Sequence, residues 1–138
     1  MKAITIHQPW ASLIACGAKE FETRSWKTSY RGPIAIHAGK KPFDTTLYSD
    51  KELWWFAEVL LLPRRQDFNK LPYGCVIAIA ELVECWHIVE YFGSHVSVPE
   101  GITVSAVSES SKYSDLQDHV VPTKQEQYFG DWTPGRYA

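Results

Sequence analysis

Three short segments in the first forty residues alternate apolar and polar positions, and turn residues separate them. This alternation is typical of strands with one buried face. In the third segment Ile34, Ile36 and Ala38 share one face, while His37 lies on the other. The pattern predicts strands at 2–7 (KAITIH), 19–26 (KEFETRSW) and 33–38 (PIAIHA).

A helix is predicted between the first two strands. Trp10, Leu13 and Ile14 have the i, i+3, i+4 spacing of one helix face. Pro9 suits the first turn of this helix, because its fixed φ is already helical. Gly17 suits the left-handed residue that follows a helix end, so the helix is expected to stop there.

A second helix is predicted to begin near Ser49, because Ser49 and Glu52 have the spacing of a capping box. Pro63 marks its expected end, since proline cannot continue a helix. The many apolar residues between 54 and 60 indicate that this helix packs against the rest of the chain.

The second half of the chain has fewer regular patterns. Residues 74–88 form a long β-branched run, which predicts one strand buried on much of both faces. Residues 92–122 are polar and predict a long loop, with a helical turn near 112–117. Thr133–Gly135 is a turn signal, after which Arg136 begins a further strand. Together these elements predict one small domain, residues 1–138, of mixed or barrel-like β type.

Cysteine and histidine spacing excludes several classes of site. The three cysteines are far apart and the five histidines lack metal-ligand spacing, so neither a disulfide framework nor a zinc site is expected. We expect no metal and no cofactor. Free cysteines and the lack of a signal-peptide pattern favour the cytoplasm. The longest apolar stretch is too short to span a bilayer, so no membrane partner is expected.

Charge is distributed unevenly along the chain. Residues 1–41 contain seven basic and two acidic side chains, a net charge of +5, whereas the remainder carries −7. A basic N-terminal third predicts a face that binds phosphate. The alternative is that many of these lysines are merely solvated.

The predicted strand 19–26 carries the most suggestive chemistry. Glu22 and Arg24 share one face, so the carboxylate would fix the guanidinium for a phosphate or carboxylate ligand. Lys19, expected at the rim, would add a second positive charge. In a reaction, Lys19 and Arg24 would stabilise developing negative charge while Glu22 or His37 moves a proton. We therefore predict Lys19, Glu22 and Arg24 as catalytic residues. The alternative is a structural ion pair with Lys19 in water.

Further side chains are candidates for ligand contacts. Trp10 or Trp26 would stack on a base, and Gln8 would read its hydrogen-bonding edge. The helical spacing of Trp10 equally suits a core residue. Two lysines that follow a strand and a glycine would meet a phosphate; a solvated loop is the alternative. The predicted ligand-binding residues are Gln8, Trp10, Ser25, Trp26, His37, Lys40 and Lys41.

Two stretches resemble a known family. HQPWASLIACGAKEFETRSWKTSYRGPIAIHAGKK resembles the N-terminal half of an ASCH domain with its Gly-x-Lys-x-x-Glu-x-Arg core, and FGDWTPGRYA resembles that family's C-terminal segment. The matching pieces are 4–41, the strand near 75–88 and 129–138. The resemblance implies a PUA-like fold, classed as α+β or mainly β, in which short helices flank a cleft beside a small β-barrel. It suggests a small bacterial or phage-type member.

The resemblance also implies a function. Relatives are thought to bind RNA or nucleotides; some act as amidohydrolases on an acylated, modified nucleoside, and others have been described as ribonucleases. The amidohydrolases have a threonine nucleophile three residues after the lysine. Here that position is Glu22, and Thr23 lies one residue later, on the opposite face of a strand. The threonine nucleophile is therefore not carried over.

Three hypotheses follow from the sequence. The first is a domain that binds RNA or a nucleotide in a charged cleft. The second is a hydrolase that uses the same cleft on a phosphodiester or a nucleoside amide. The third is a protein-interaction module in which the ion pair only stabilises the fold. The sequence leaves the oligomeric state open.

Overall fold

The structure is a computed structural model that describes residues 1–90, 104–108, 119–120, 126 and 130–138. The chain forms two compact units. Unit 1 comprises Met1–Glu20 and Gly32–Glu81, and unit 2 comprises Phe21–Arg31 and Leu82–Ala138. Both helices and strands are present, which agrees with the predicted mixed α+β class. The assignment of 1–138 to a single domain stays a prediction.

Unit 1 is built on a three-stranded sheet. Its strands are β1 (Lys2–Ile6), β2 (Gly32–Ala38) and β3 (Val76–Leu82), in the order β1-β2-β3. The first two strands confirm the predictions at 2–7 and 33–38. They run parallel, with Ile6 opposite Ala38. The apolar face of this sheet contributes to a core that contains Ile6, Ala11, Ile36 and Ala38.

Helix α1 (Trp10–Ala15) ends as the sequence predicts. Gly17 has φ of +78°, and its N–H donates to the Ile14 carbonyl at 3.0 Å. The next amide, of Ala18, donates to the Leu13 carbonyl at 2.9 Å. These two bonds define a Schellman motif, which satisfies carbonyls at the helix end. Pro9 occupies the N-cap position, one residue before the first helical turn.

Helix α2 (Asp50–Val59) confirms the predicted capping box. The Ser49 amide donates to a Glu52 carboxylate oxygen at 2.8 Å, and the Glu52 amide donates to the Ser49 hydroxyl oxygen at 3.3 Å. Hydrogen bonds from the Ser49 side chain and backbone lower the pKa of Glu52 below 4.5. The helix ends at Val59, four residues before Pro63. Two short 3₁₀ helices, Thr45–Leu47 and Arg65–Lys70, lie on either side of it in sequence.

The end of α2 repeats the Schellman motif of α1 with an unfavourable residue. Leu61 donates to the Glu58 carbonyl at 3.1 Å, and Leu62 donates to the Ala57 carbonyl at 2.8 Å. Leu61 therefore takes the left-handed position, with φ of +52°. Leu61 is 87% exposed, so burial of its side chain contributes little free energy to offset the strain of its backbone.

The predicted strand 19–26 is wrong. This segment forms a single bridge, from Arg24 to Tyr137, and bends at Ser25 and Trp26. A strand needs a backbone partner along its length, and the alternation of side chains does not supply one.

The prediction of one strand over 74–88 is also wrong. The run contains two strands. The first is β3, the third strand of the sheet of unit 1, and the second is β4 (Trp86–Glu90), which belongs to a different sheet. Val76, Ile79 and Val83 are exposed, so the run is not buried on both faces. Between the strands the Glu84 carboxylate accepts a bond from the adjacent Cys85 amide at 2.7 Å. β-Branched residues favour extended backbone, but they do not determine which strands share a sheet.

Unit 2 contains the second sheet, an antiparallel arrangement of β4, β5 (Val104–Ser108) and β6 (His119–Val120) in that order. The last two strands lie within 92–122, so the prediction of an uninterrupted loop there is wrong. The predicted helical turn at 112–117 lies outside the described residues. The polar composition of 92–122 favours a loop, whereas strand formation depends on pairing between segments that composition does not specify.

The predicted turn at 133–135 is confirmed, whereas the strand predicted to begin at Arg136 is wrong, because only isolated bridges at Tyr137 follow the turn. Gly135 has φ of +89°, and the Arg136 amide donates to the Thr133 carbonyl at 3.3 Å, which is typical of a type II turn with Pro134 at its second position. After this turn the chain pairs with β4, since Trp86 and Ala138 exchange two backbone hydrogen bonds of 2.7 and 2.8 Å.

The strands of the described ranges form two three-stranded sheets, and they do not close into the single barrel that the resemblance implied. The barrel prediction therefore holds only as far as a mixed fold of short strands and helices. Among the helices described here, none is long and apolar enough to cross a membrane.

The left-handed leucine gives a stability prediction. We expect Leu61→Gly to raise the free energy of unfolding by about 0.5–1 kcal/mol, because glycine adopts positive φ without a Cβ clash. Urea denaturation measures the change. Glu58→Gly, at an exposed position within α2, is the control and should lower the free energy of unfolding by about 1 kcal/mol. If both substitutions lower the free energy of unfolding equally, the inference that the Leu61 backbone is strained is wrong.

Candidate functional site

The predicted ion pair between Glu22 and Arg24 is present. A guanidinium nitrogen, Nη2 of Arg24, lies 3.1 Å from Oε1 of Glu22. Both side chains are partly buried, at 31% and 23% exposure, so solvent screens the pair incompletely. The carboxylate fixes the direction of the guanidinium fork.

Arg24 is also held by its backbone. Its amide donates to the Tyr137 carbonyl at 2.7 Å, and the Tyr137 amide donates back to the Arg24 carbonyl at 2.8 Å. Tyr137 bridges His87 on its other side, and the two rings are stacked with centroids 5.0 Å apart and planes 19° apart. Residues directly opposite each other in a sheet point to the same face. Glu22, Arg24, Tyr137 and His87 therefore form one polar row in unit 2.

A compact turn at 131–136 precedes Tyr137 and holds that part of the polar row in place. The Asp131 carboxylate accepts bonds from the Thr133 hydroxyl at 2.5 Å and the Thr133 amide at 3.2 Å, and it pairs with Arg136 at 3.3 Å. The bond from the Thr133 hydroxyl is the main reason why the pKa of Asp131 lies below 3.8. Because Tyr137 immediately follows Arg136, this turn fixes the approach of Tyr137 to its partners.

Thr23 connects the same turn to the Arg24 segment. It is buried, and its hydroxyl oxygen accepts a bond from the Asp131 amide at 3.0 Å. The side chains of Thr23 and Trp132 both pack against Gly130. The indole N–H of Trp132 donates to the Glu126 carbonyl at 2.9 Å. Thr23 thus contributes to the fold of unit 2.

Lys19 is buried, with only 2% of its surface exposed, so the alternative that places Lys19 in water is wrong. Its expected position at the rim of a cleft stays a prediction. Its amide donates to the Leu13 carbonyl at 3.1 Å, directly after the Schellman motif of α1. The cap therefore determines where the lysine backbone lies. A lysine is rarely buried this completely, because removing its ammonium group from water costs free energy.

Gln8 and Trp10 contact other residues of unit 1. The side chain of Gln8 is buried. Its Nε2 donates to the Pro72 carbonyl at 2.7 Å, and its Oε1 accepts a bond from the Ser12 backbone amide at 3.1 Å. The Trp10 ring lies about 6 Å from three other aromatic rings, those of Phe43, Tyr48 and Phe56. These contacts favour the core alternative for Trp10, and the proposed ligand contacts of both residues stay predictions.

The remaining predicted ligand contacts are more accessible. Ser25 and Trp26 lie at the exposed bend after Arg24, and the indole of Trp26 is 53% exposed. His37 is half-buried, and its Nδ1 lies 3.1 Å from the Thr5 hydroxyl, on the opposite face from Ile36. Two exposed lysines follow the end of β2, at positions 40 and 41.

His87 and Tyr137 were not predicted as site residues. The sequence placed His87 in an extended run and Tyr137 after a turn, which is correct for each segment alone. Their stacking depends on a register between segments that are far apart in sequence, and local patterns carry no information about it. A search for polar aromatic residues on each predicted strand would have included both.

No group of three or more potential metal ligands occurs in the described part of the chain. The polar row offers a guanidinium, a phenol, an imidazole and a carboxylate. Such groups bind phosphate or a base edge, and the imidazole and carboxylate also exchange protons.

Comparison with known proteins gives the family context. The model of the ASCH domain matches residues 4–129. "Activating signal cointegrator 1" of mouse and of human are each 37% identical to this chain over 86 residues, which cover 59% of this chain and 14% of the relative. The chain thus corresponds to a small part of these relatives. Both are mammalian, and they give no support to a bacterial or phage-type origin.

The turn at Asp131 gives a pH-dependent prediction. The pKa of Asp131 is lowered on folding, so its stabilisation is present above its ordinary value of 3.8 and is lost as pH falls through the lower folded value. We expect Asp131→Asn to lower the free energy of unfolding at pH 7 by about 0.5 kcal/mol, since this exposed carboxylate is screened by solvent.

Urea midpoints measured from pH 7 down to pH 2 test this expectation. The difference between Asp131→Asn and the unsubstituted chain should shrink as the aspartate protonates. Glu58→Gln, at an exposed carboxylate on α2, serves as the control. A difference that stays constant at every pH would contradict the role of the ionised carboxylate.

Proposed function

Because this chain belongs to the ASCH domain family, we propose that it binds RNA or a nucleotide through the polar row and the charged segment 17–24. We further propose that residues 1–138 act as one domain, since the family match includes parts of both units. Free Cys16, Cys75 and Cys85 favour a reducing compartment, and we propose the cytoplasm.

The observation that carries this proposal is the fixed position of Arg24. Its side chain is directed by Glu22 at 3.1 Å, and its backbone is bonded twice to Tyr137. An arginine held in this way loses little conformational entropy when its fork binds two phosphate oxygens. Binding of a phosphate also keeps the guanidinium in a charge-assisted hydrogen bond.

The stacked rings beside Arg24 suit the rest of a nucleotide. Tyr137 and His87 are half-buried and their ring faces are in contact, and we propose that their polar edges meet the base. Single-stranded RNA is commonly recognised through hydrogen bonds to base edges and through aromatic stacking. The exposed Trp26, two residues after Arg24, supplies a stacking surface, and Ser25 supplies a hydroxyl donor.

Predicted ligand contacts in unit 1 take supporting roles in this proposal. Lys40 and Lys41 contribute positive charge for phosphate, and His37 contributes a hydrogen-bonding edge. Gln8 and Trp10 contribute by holding the start of α1 and the aromatic core around it.

The relatives' name describes cointegration of an activating signal. That activity belongs to much longer proteins, of which this chain matches a small part. We therefore propose for this chain the binding step alone, with no assignment of the relatives' partners.

A second candidate is hydrolysis of an RNA phosphodiester. The observation that favours it is an imidazole in the same row as Arg24, which joins a proton-transfer group to a cation that stabilises phosphoryl charge. Lys19, Glu22 and Arg24 remain the predicted catalytic residues, and His87 is added to them. Amide hydrolysis of a modified nucleoside is less favoured, because Glu22 stands at the nucleophile position and the Thr23 oxygen accepts a bond from Asp131.

The binding proposal is tested with a matched pair of arginine variants. Arg24 and Arg31 both lie in unit 2, are both about 30% exposed, and each pairs with a glutamate. We expect Arg24→Ala to weaken binding of a fluorescein-labelled single-stranded RNA at least about tenfold, because a charge-assisted hydrogen bond is lost. Arg31→Ala should leave the affinity unchanged.

Fluorescence anisotropy at several salt concentrations measures both affinity and its salt dependence. For RNA the logarithm of the binding constant should fall linearly with the logarithm of the salt concentration. Equal weakening by both alanine variants would show that the ion pair only stabilises unit 2. A response that does not vary with salt would reject phosphate contacts and favour a neutral nucleoside.

The hydrolase candidate is tested by incubating the chain with short RNAs and modified nucleosides and identifying products by mass spectrometry. If His87 transfers a proton, His87→Gln should reduce product formation at least about 100-fold, by a larger factor than it weakens RNA binding. Intact substrates after incubation with the unsubstituted chain would reject the hydrolase and leave the binding proposal unaffected.

A further inference from the structure

The parallel strands of unit 1 bring two chain segments to one edge of the sheet. In parallel strands the carboxyl ends lie at the same edge, where ligands are commonly bound in sheets of this kind. His7 follows β1 directly, and Gly39, Lys40 and Lys41 follow β2. The pairing continues to this point, since the Gly39 amide donates to the Ile6 carbonyl at 2.9 Å.

Gly39 makes room for the His7 imidazole. A Cβ at position 39 would lie 2.9 Å from Nδ1 of His7 and 3.4 Å from its Cε1. The first distance is closer than a Cβ contact allows, so the ring lies against the backbone of Gly39. The imidazole is thereby held at the start of the segment that carries the two lysines.

Gly74 makes room for the stem of Lys40 in the same way. A Cβ there would lie 2.9 Å from Cγ of Lys40, with Cε and Cδ within 3.6 Å. The Gly74 amide donates to the Ala38 carbonyl at 2.8 Å, which ties this glycine to the end of β2. The apolar stem of Lys40 therefore packs along a fixed backbone while the residue as a whole stays exposed.

The charge at this edge is not neutralised from within the described part of unit 1, where neither Lys40 nor Lys41 forms an ion pair. Lys41 is the smallest of the influences that lower the pKa of the Asp44 carboxyl, after its hydrogen bonds with Thr46. Oδ1 of Asp44 accepts bonds from the Thr46 amide at 3.0 Å and the Thr46 hydroxyl at 2.6 Å.

We propose that His7, Lys40 and Lys41 form a binding site for a phosphate monoester. Two ammonium groups match the charge of a monoester, which is about −1.5 to −2 at pH 7, better than that of a singly charged diester. The His7 imidazole adds a hydrogen bond to a third oxygen. The inference deepens the proposed function and rests on it, because the monoester is taken to be the terminal phosphate of a bound nucleotide or RNA.

Three oligoribonucleotides of one sequence test the proposal, with a 5′-phosphate, a 3′-phosphate or hydroxyl groups at both ends. We expect one phosphorylated form to bind at least about tenfold more tightly than the hydroxyl form. The double variant Lys40→Met/Lys41→Met keeps an apolar stem at position 40 against Gly74 and removes both charges, so it should abolish the difference. Lys51→Met removes one such charge at an exposed lysine elsewhere in unit 1 and should retain the difference, whereas Lys40→Met alone should reduce it.

Titration with inorganic phosphate gives an independent measurement. NMR resonances of the His7 imidazole should shift on adding phosphate, and should not shift on adding chloride at equal ionic strength. If all three RNAs bind equally and phosphate leaves His7 unchanged, the site is rejected while the proposed RNA binding stands. If no RNA binds but phosphate still shifts His7, the site stands, and its assignment to a nucleotide is rejected together with the proposed function.

Discussion

Tyr137 pairs with two segments at once, and the arrangement of unit 2 depends on this double pairing. Its own amide and carbonyl bond to Arg24, while the Arg136 and Ala138 backbones bond to β4. This alternation is the pattern of a central strand in an antiparallel sheet. In that pattern Tyr137 and His87 form the closer, non-hydrogen-bonded type of pair, which brings their rings into contact. Loss of either set of bonds would separate the polar row.

The turn at 131–136 shows how local chemistry supports that pairing. Proline and a left-handed glycine reverse the chain, and the Asp131 carboxylate bonds to Thr133 and Arg136 inside the turn. Thr23 then bonds the turn to the segment that carries Arg24. The same few hydrogen bonds therefore position both sides of the polar row, which explains why a conformationally restricted turn lies so near the candidate site.

The two units hold their charged side chains by different means. In unit 2 each guanidinium named here is paired with a carboxylate. The carboxylate fixes the direction of the guanidinium and offsets its positive charge. At the sheet edge of unit 1 Lys40 is oriented by packing against Gly74, and no carboxylate in the described part of the chain forms an ion pair with it. An arginine fixed by a carboxylate suits recognition of geometry, whereas lysines held by their stems suit attraction of a highly charged group.

The sequence by itself determined the features that depend on neighbouring residues. The glycine cap of α1, the Ser49–Glu52 capping box and the turn before Arg136 were all predicted, because their hydrogen bonds join residues a few positions apart. The pairing of Glu22 with Arg24 belongs to the same class. Only the tertiary structure decided that 74–88 divides between two sheets, that Lys19 is buried, and that His87 lies beside Tyr137. Strand partners and burial are set by contacts between distant segments, and alternation along one segment cannot specify which other segment covers it.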